Sequence, residues 1–179
     1  MRLREETISS ERIYDGRVIK LRLDKVRLPD GQESSREIVE HRGAIAAVPL
    51  LSDNNIILIK QYRQAAGEIL LEIPAGTLEV GEKPEDCAER ELQEEIGYKP
   101  GKLKLLFSSY LAPGYSSEML HTFLAEDLVP SKAENDEDEF IEIVKVPVKE
   151  TIGLIESGQI KDAKTICGIL MVEKMLSES

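Results

Sequence analysis

The sequence predicts a fold of the α/β class, α+β in type, in which β-strands surround two or three helices. Apolar residues alternate with polar ones over several short segments bounded by turn signals, as expected for strands. Other segments place apolar residues at the spacing of a helix, and glycines follow two of them, Gly97 and Gly158. The 179 residues, 41% of them hydrophobic, can bury one good core with a small appendage.

The appendage is predicted over residues 1–43, as a small antiparallel β-unit. Apolar residues alternate over 18–28 and then change phase near Val26, as in a strand with a β-bulge. After a turn at 29–31, residues 36–41 provide the partner strand. A sheet this small is marginal in water. We therefore expect the unit to pack on the main body or on a second subunit, which makes a homodimer a reasonable expectation.

The main domain is predicted over residues 44–179, beginning with strands at 45–51 and 56–62. Further strands are predicted at 69–73, 103–111, 121–125 and 141–146. Two helical stripes follow, one made of Val148, Ile152 and Ile155 and the other of Ala163, Ile166, Cys167 and Leu170.

Between these strands, a helix is predicted from Pro84 to Ile96. Proline suits the first position of a helix, and Gly97 suits the position just past its end. Ala88, Leu92 and Ile96 recur every fourth residue and form one apolar stripe.

Three carboxylates share the neighbouring face of this helix: Glu91, Glu94 and Glu95. Like charges at these spacings destabilise a helix, so stability alone gives no reason for them, whereas a hard divalent cation would. An isolated run of this kind is more often a solvated helix face. The residues around the run decide between the two interpretations.

The stretch from Gly76 to Tyr98 resembles the Nudix box at every fixed position. Its pattern is Gly76, five residues, Glu82, seven residues, and then Arg90-Glu91-Leu92-x-Glu94-Glu95-x-Gly97-Tyr98, with an aromatic residue at the last, hydrophobic position. The resemblance implies a Nudix fold, a mixed β-sheet sandwiched between helices. It also implies metal ligands, namely Glu91, Glu94, Glu95 and the backbone carbonyl of Ala75. Mg²⁺ is the expected metal, with Mn²⁺ as a substitute, and Glu82 and Arg90 are expected to brace the loop and helix.

Within the Nudix hydrolases, the chain most resembles bacterial ADP-ribose pyrophosphatases. The segments that carry this likeness are Arg36-Glu37-Ile38-Val39, Lys60-Gln61-Tyr62-Arg63, Glu72-Ile73-Pro74-Ala75-Gly76, Ser109-Tyr110-Leu111-Ala112-Pro113-Gly114 and Asp136-Glu137-Asp138-Glu139. Pro113, about sixteen residues past Gly97, fits the pattern associated with ADP-ribose, although alone it would be an ordinary turn. The implied reaction is hydrolysis of ADP-ribose to AMP and ribose 5-phosphate. The alternatives are another nucleoside diphosphate sugar as substrate, or a non-catalytic ligand-sensing module.

By the same resemblance, Arg36 and Arg63 contact the substrate, one of them reaching across a dimer interface, and Glu118 lines the site. A guanidinium suits this role because its planar fork binds phosphate with two hydrogen bonds. For Arg36, a surface salt bridge with Glu37 is the alternative.

The acidic run at 134–139 is by composition a solvated loop, but it directly precedes an apolar strand that could hold it near a cleft. The resemblance implies that one loop glutamate is the general base and another joins the metals. We assign Glu137 as the base and Glu139 to the metals, and we expect Glu94 to serve catalysis as well.

Composition argues against several classes of protein. A formal charge of −11 disfavours binding to nucleic acid or to an anionic membrane. Two cysteines and two histidines outside any cluster argue against a zinc site. The N-terminus lacks an apolar segment, and the longest apolar run, near 45–51, is too short to cross a bilayer. A reducing cytoplasm fits best.

Overall fold

The computed structural model describes residues 3–131 and 140–178, which form two compact units. The first comprises the described residues up to Gly43 together with Ser109–Met119, and the second the remaining described residues. The segment Ser109–Met119 joins the first unit through the backbone of Val39. The Val39 N–H donates to the Tyr115 carbonyl at 2.7 Å, and the Ser117 N–H donates to the Val39 carbonyl at 2.9 Å.

The first unit is built on a three-stranded antiparallel sheet in the order β1-β2-β3. Its strands are β1 (Glu6–Asp15), β2 (Lys20–Arg27) and β3 (Glu33–Glu40). Strand β1 was not predicted, because every one of its residues is exposed and no apolar alternation marks it.

The β-bulge predicted within residues 18–28 was wrong. Strand β2 pairs with β3 without a break, and the irregularities lie in β1, at Ile8 and Ile13. The change of phase has another cause. Asp24 is buried in strand β2 along with Val26, so one position of the inward face is a carboxylate, held by Arg22 Nε at 3.1 Å from both of its oxygens.

The remaining strands form three sheets, ordered β7-β4-β10-β9, β12-β5-β6 and β11-β8, and lie in the second unit except for the ends of β9 and β10 at residues 109–110 and 119. They are β4 (Ala44–Pro49), β5 (Asn55–Arg63), β6 (Glu68–Glu72), β7 (Ala75–Thr77), β8 (Tyr98–Lys99), β9 (Lys102–Tyr110), β10 (Met119–Glu126), β11 (Val129–Pro130) and β12 (Ile141–Pro147). The six predicted strands are confirmed to within a few residues. Those not predicted, β7, β8 and β11, are only two or three residues long. Strands β4 and β10 run parallel, whereas β4 and β7 are antiparallel.

Three helices complete this unit: α1 (Pro84–Ile96), α2 (Val148–Glu156) and α3 (Ala163–Ser177). Helix α1 has the predicted bounds. Gly97 follows it in the left-handed conformation, with φ of 72°, and its N–H donates to the Gln93 carbonyl. Helix α3 is capped by Asp162, whose carboxylate accepts from the Thr165 N–H at 3.0 Å. None of the helices in the described ranges has the length and apolar character needed to span a bilayer.

Strand β4 lies at the centre of the core and is buried on both faces. Its side chains alternate between two apolar clusters. Ile45 and Ala47 pack with the apolar stripe of α1, and Ala46 and Val48 pack with residues of α3. The predicted mixed sheet between helices is confirmed. Because β7 pairs with β4 and both contact α1, residues 75–77 are held against that helix.

Candidate active site

Strand β7 and helix α1 are joined at Glu95. This residue is only 4% exposed, and its Oε2 accepts a hydrogen bond from the Ala75 N–H at 2.9 Å. A buried carboxylate is costly unless its oxygens are satisfied. The hydrogen bond therefore holds Glu95 close to the backbone of Ala75, whose carbonyl is an expected metal ligand.

Gly76 allows Glu91 to approach the β7 backbone closely. A Cβ atom at position 76 would lie 1.9 Å from both Cδ and Oε1 of Glu91. Atoms that are not bonded to each other cannot lie this close, so any larger residue at position 76 would force the Glu91 carboxylate to move. The fixed glycine of the motif thus makes space for one of its carboxylates.

Arg90 holds the other acidic residues of the motif together. Its Nη1 donates to Glu91 and to Glu94, each at 2.8 Å, and its Nε donates to Glu82 at 3.0 Å. The second oxygen of Glu82 accepts from the Glu79 N–H at 2.8 Å. One guanidinium therefore links the loop before α1 to the face of the helix, as expected for a bracing role.

These contacts shift the pKa values of the partners in opposite directions. The hydrogen bond from Arg90, together with the Glu79 N–H, lowers the pKa of Glu82 to about 2. The bond to Glu82 in turn raises the pKa of Arg90. Burial raises the pKa of the nearby Cys87 thiol to about 12, so this cysteine is no nucleophile at neutral pH.

The donor set suits a hard divalent cation. Three carboxylates on one helix face and a backbone carbonyl supply oxygen ligands alone, which Mg²⁺ and Mn²⁺ prefer. Gly76 lies beside this donor set, since a Cβ atom there would overlap the Glu91 carboxylate. In the described residues no three acidic, histidine or cysteine side chains form a group that could hold a metal ion. Glu91 and Glu94 both accept hydrogen bonds from Arg90.

Arg63 lies in the same unit, at the end of β5. Its Nε and Nη2 each donate to one oxygen of Glu72 at 2.8 Å, a two-pronged ion pair. This pair raises the pKa of Arg63, and the charges of Glu95 and Asp162 add to the effect. Arg63 is therefore within electrostatic reach of Glu95, which is an expected metal ligand.

The environment of Glu72 was not anticipated. Its carboxylate is 1% exposed, and besides Arg63 it contacts the ammonium of Lys164. Lys164 also lies 2.9 Å from Asp162. The only signal in the sequence was a charged residue inside an otherwise apolar strand, because Lys164 follows Glu72 by 92 residues.

The other predicted substrate residues belong to the first unit. Arg36 pairs with Glu5, its Nε at 3.0 Å from Glu5 Oε2, rather than with Glu37. Glu118 lies 3.9 Å from His41 Nδ1. Pro113 occupies a turn in which the Ala112 carbonyl accepts from two backbone N–H groups. Contact of these side chains with substrate stays a prediction.

The expected base and its neighbour, Glu137 and Glu139, lie outside the described residues. The described chain resumes at Phe140, whose side chain is exposed, and enters β12 at Ile141.

Two family models match the chain. The model of the NUDIX domain matches residues 40–167, and that of the nucleoside diphosphate sugar hydrolase N-terminal domain matches residues 5–39.

Individual proteins resemble the chain over almost its whole length. It is 45% identical over 169 residues to the ADP-ribose pyrophosphatase of Bacillus subtilis (strain 168), covering 93% of this chain and 91% of the relative. It is 42% identical over 169 residues to the methanol dehydrogenase activator of Bacillus methanolicus, covering 92% and 90%. A solved ADP compounds hydrolase superposes with a TM-score of 0.89 at 25% identity, covering 99% and 97%. The motif, the fold and these matches agree, and the chain belongs to the Nudix family.

Proposed function

We propose that the protein hydrolyses the diphosphate of ADP-ribose to AMP and ribose 5-phosphate, with Mg²⁺ as its metal and Mn²⁺ as a substitute. The observation that carries this proposal is the arrangement around Ala75 and Gly76. Glu91 and Glu95 approach the backbone there, and Arg63 lies within electrostatic reach of Glu95. The carboxylates that would bind a metal ion thus lie near Arg63, whose guanidinium is suited to binding phosphate. The names of the relatives favour ADP-ribose among the diphosphates.

In this reaction one phosphoanhydride bond breaks, and the oxygen of a water molecule forms the new bond to phosphorus. Glu91, Glu94, Glu95 and the Ala75 carbonyl would hold the metal, which lowers the pKa of the water and offsets the charge of the diphosphate. Arg63 binds a diphosphate oxygen. Glu94, the most exposed of the three glutamates, is the one best placed to act on the water as well.

Glu137 is the proposed general base and Glu139 the metal-associated residue of the same loop. A positioned base contributes about 10²- to 10⁴-fold. We expect Glu137→Gln to lower kcat by about that factor with little change in KM, and Glu139→Gln to raise the metal concentration needed for half-maximal rate. Unchanged turnover in both variants would remove the loop from the mechanism.

Arg36, Pro113 and Glu118 are proposed to contact the substrate from the first unit, and that unit is proposed to form a homodimer. Strand β1 is an edge strand on which Ile13 and Tyr14 are 52% and 57% exposed. Such an edge is normally covered. Sedimentation should give twice the chain mass of 20.0 kDa, and a fully active monomer would contradict the dimer.

We also place the protein in the cytoplasm, where Cys87 and Cys167 stay free thiols.

The substrate is tested with a panel of compounds in Mg²⁺: ADP-ribose, other nucleoside diphosphate sugars, diadenosine polyphosphates and nucleoside triphosphates. We expect the highest kcat/KM for ADP-ribose. The match to a nucleoside diphosphate sugar hydrolase N-terminal domain favours another sugar nucleotide as the second candidate. Preferential cleavage of the triphosphates would refute both. If no compound were turned over, the remaining hypothesis would be a non-catalytic ligand-sensing module. The presence of Glu91, Glu94 and Glu95 argues against that hypothesis.

A further inference from the structure

Lys164 occupies a position that is unusual for a lysine in two respects. Its side chain is only 11% exposed, whereas lysine side chains are mostly exposed to solvent. It also lies in the first turn of α3, where the helix dipole disfavours a positive charge. A buried ion pair adds little net stability, because the cost of desolvating its charges offsets their attraction. The reason for this lysine should therefore lie in what its charge does to its neighbours.

The neighbour that Lys164 affects most is Glu72. Burial alone would raise the pKa of this carboxyl, but the Arg63 hydrogen bonds and the Lys164 charge outweigh burial and lower it. Glu72 is thus an ion shared between two cations. With Asp162, which also contacts Lys164, the four charges sum to zero. Without Lys164 the group would be left with one net negative charge, and Glu95 adds a further negative charge within electrostatic reach of Arg63.

Arg63 retains a free edge in this arrangement. Glu72 engages Nε and Nη2, and among the described residues Nη1 has no hydrogen-bond partner. The side chain is 37% exposed. A diphosphate oxygen can therefore bind at Nη1 while Glu72 keeps the guanidinium plane fixed. The affinity of that site depends on how far Glu72 and Asp162 cancel the charge of Arg63.

Lys164 lies next to a hydrogen bond that joins the first turn of α3 to the segment between β6 and β7. The next residue, Thr165, is fully buried, and its Oγ1 accepts from the Ile73 N–H at 2.9 Å. Two residues further along, the Ala75 N–H bonds to Glu95. The first turn of α3 is thus fixed to the segment that runs from Glu72 to the carboxylates of α1.

We propose that Lys164 is a positioning residue for the substrate diphosphate, which acts through Glu72 to keep Arg63 oriented and electropositive. This inference rests on the proposed function, because it assigns the diphosphate as the ligand of Arg63. It makes helix α3, far from the motif in sequence, part of the phosphate site.

The test is Lys164→Met. We expect KM for ADP-ribose to rise about tenfold while kcat changes less than about threefold, since the lost effect is on binding. Lys164→Arg, which keeps the charge, should restore KM to within about threefold. The matched control is Lys161→Met, which removes a nearby lysine that pairs with Glu68 on the surface and should leave KM unchanged. A purely structural role would lower kcat and the midpoint of unfolding together.

A binding measurement separates this inference from the proposed function. Calorimetry with ADP in EDTA reports the diphosphate site without turnover, and Lys164→Met should weaken ADP about tenfold. Equal ADP affinity in wild type and variant overturns the inference, even if ADP-ribose is cleaved. Weaker ADP binding by the variant supports it, even if wild type leaves ADP-ribose intact. Should Lys164→Met fail to fold, Lys164→Gln can still donate to Glu72, and the same two outcomes decide.

Discussion

Two arginine–carboxylate clusters in the second unit differ in how their charges are balanced. In the box cluster (Arg90, Glu82, Glu91 and Glu94), one cation holds three acids that are partly open to solvent. In the Arg63 cluster (Arg63, Glu72, Lys164 and Asp162), a fully buried acid lies between two cations. The box cluster has an excess of negative charge and can accept a further cation. The Arg63 cluster is neutral and rigid, which suits a site that must keep its shape when an anion binds.

Breaking the Arg63 cluster should have the largest effect on folding. Glu72→Gln leaves Arg63 and Lys164 without the buried counter-ion that they share, and such a loss typically costs about 3 kcal/mol or more. We expect urea unfolding at pH 7 to show a decrease of about that size. Glu68→Gln, in the same strand but with an exposed partner, Lys161, should change stability by less than about 1 kcal/mol. Equal effects of the two substitutions would show that Glu72 is not the buried counter-ion we describe.

Breaking the box cluster should affect chemistry more than folding. In Gly76→Ala the new Cβ would lie 1.9 Å from Glu91, so that carboxylate must move away. A displacement of about 1 Å at a catalytic group can cost about a hundredfold in rate. We expect kcat with Mg²⁺ to fall by about that factor.

The control for this substitution is Gly153→Ala in helix α2. A Cβ atom there meets nothing within 4 Å, so alanine should stabilise the helix by about 0.5–1 kcal/mol and leave kcat unchanged. If Gly76→Ala retained wild-type kcat, the close approach of Glu91 would have no catalytic importance.

The contrast between the clusters also explains which parts of the site could be predicted. Every carboxylate partner of Arg90 lies within eight residues of it, so a helix and its preceding loop bring them together. The spacing of Glu91, Glu94 and Glu95 sufficed to predict a shared face. Lys164 and Glu72 meet only because α3 packs on the sheet. No local pattern carries that information, so the neighbours of Arg63 could not be predicted.

The same reasoning applies to the fold. Helix α1 was predicted to the residue because proline, glycine and an apolar stripe all mark it. Strand β1 was not, since periodicity reports burial and none of its residues is buried in the described chain. The β-bulge was wrongly predicted for a related reason. Asp24 is buried and paired with Arg22, but in the sequence a carboxylate indicates a residue that faces solvent.

The smallest expected effect concerns Glu82, and it depends on pH. Its pKa is about 2 in the folded protein against an ordinary value of 4.5, so the folded state binds fewer protons than the unfolded state in that interval. The stabilisation is therefore complete above pH 4.5 and is lost as the pH falls toward 2. Glu82→Gln should lower the free energy of unfolding by about 1–2 kcal/mol at pH 7 in EDTA. That deficit should shrink below pH 4.5, because wild type loses the same interaction.

The control is Glu89→Gln. Glu89 is on the same helix and has an exposed partner, Lys99, so this substitution should change stability at pH 7 by less than about 1 kcal/mol. A deficit for Glu82→Gln that stayed constant down to pH 3 would mean that the hydrogen-bonded loop, and not the charge on Glu82, stabilises this end of the helix.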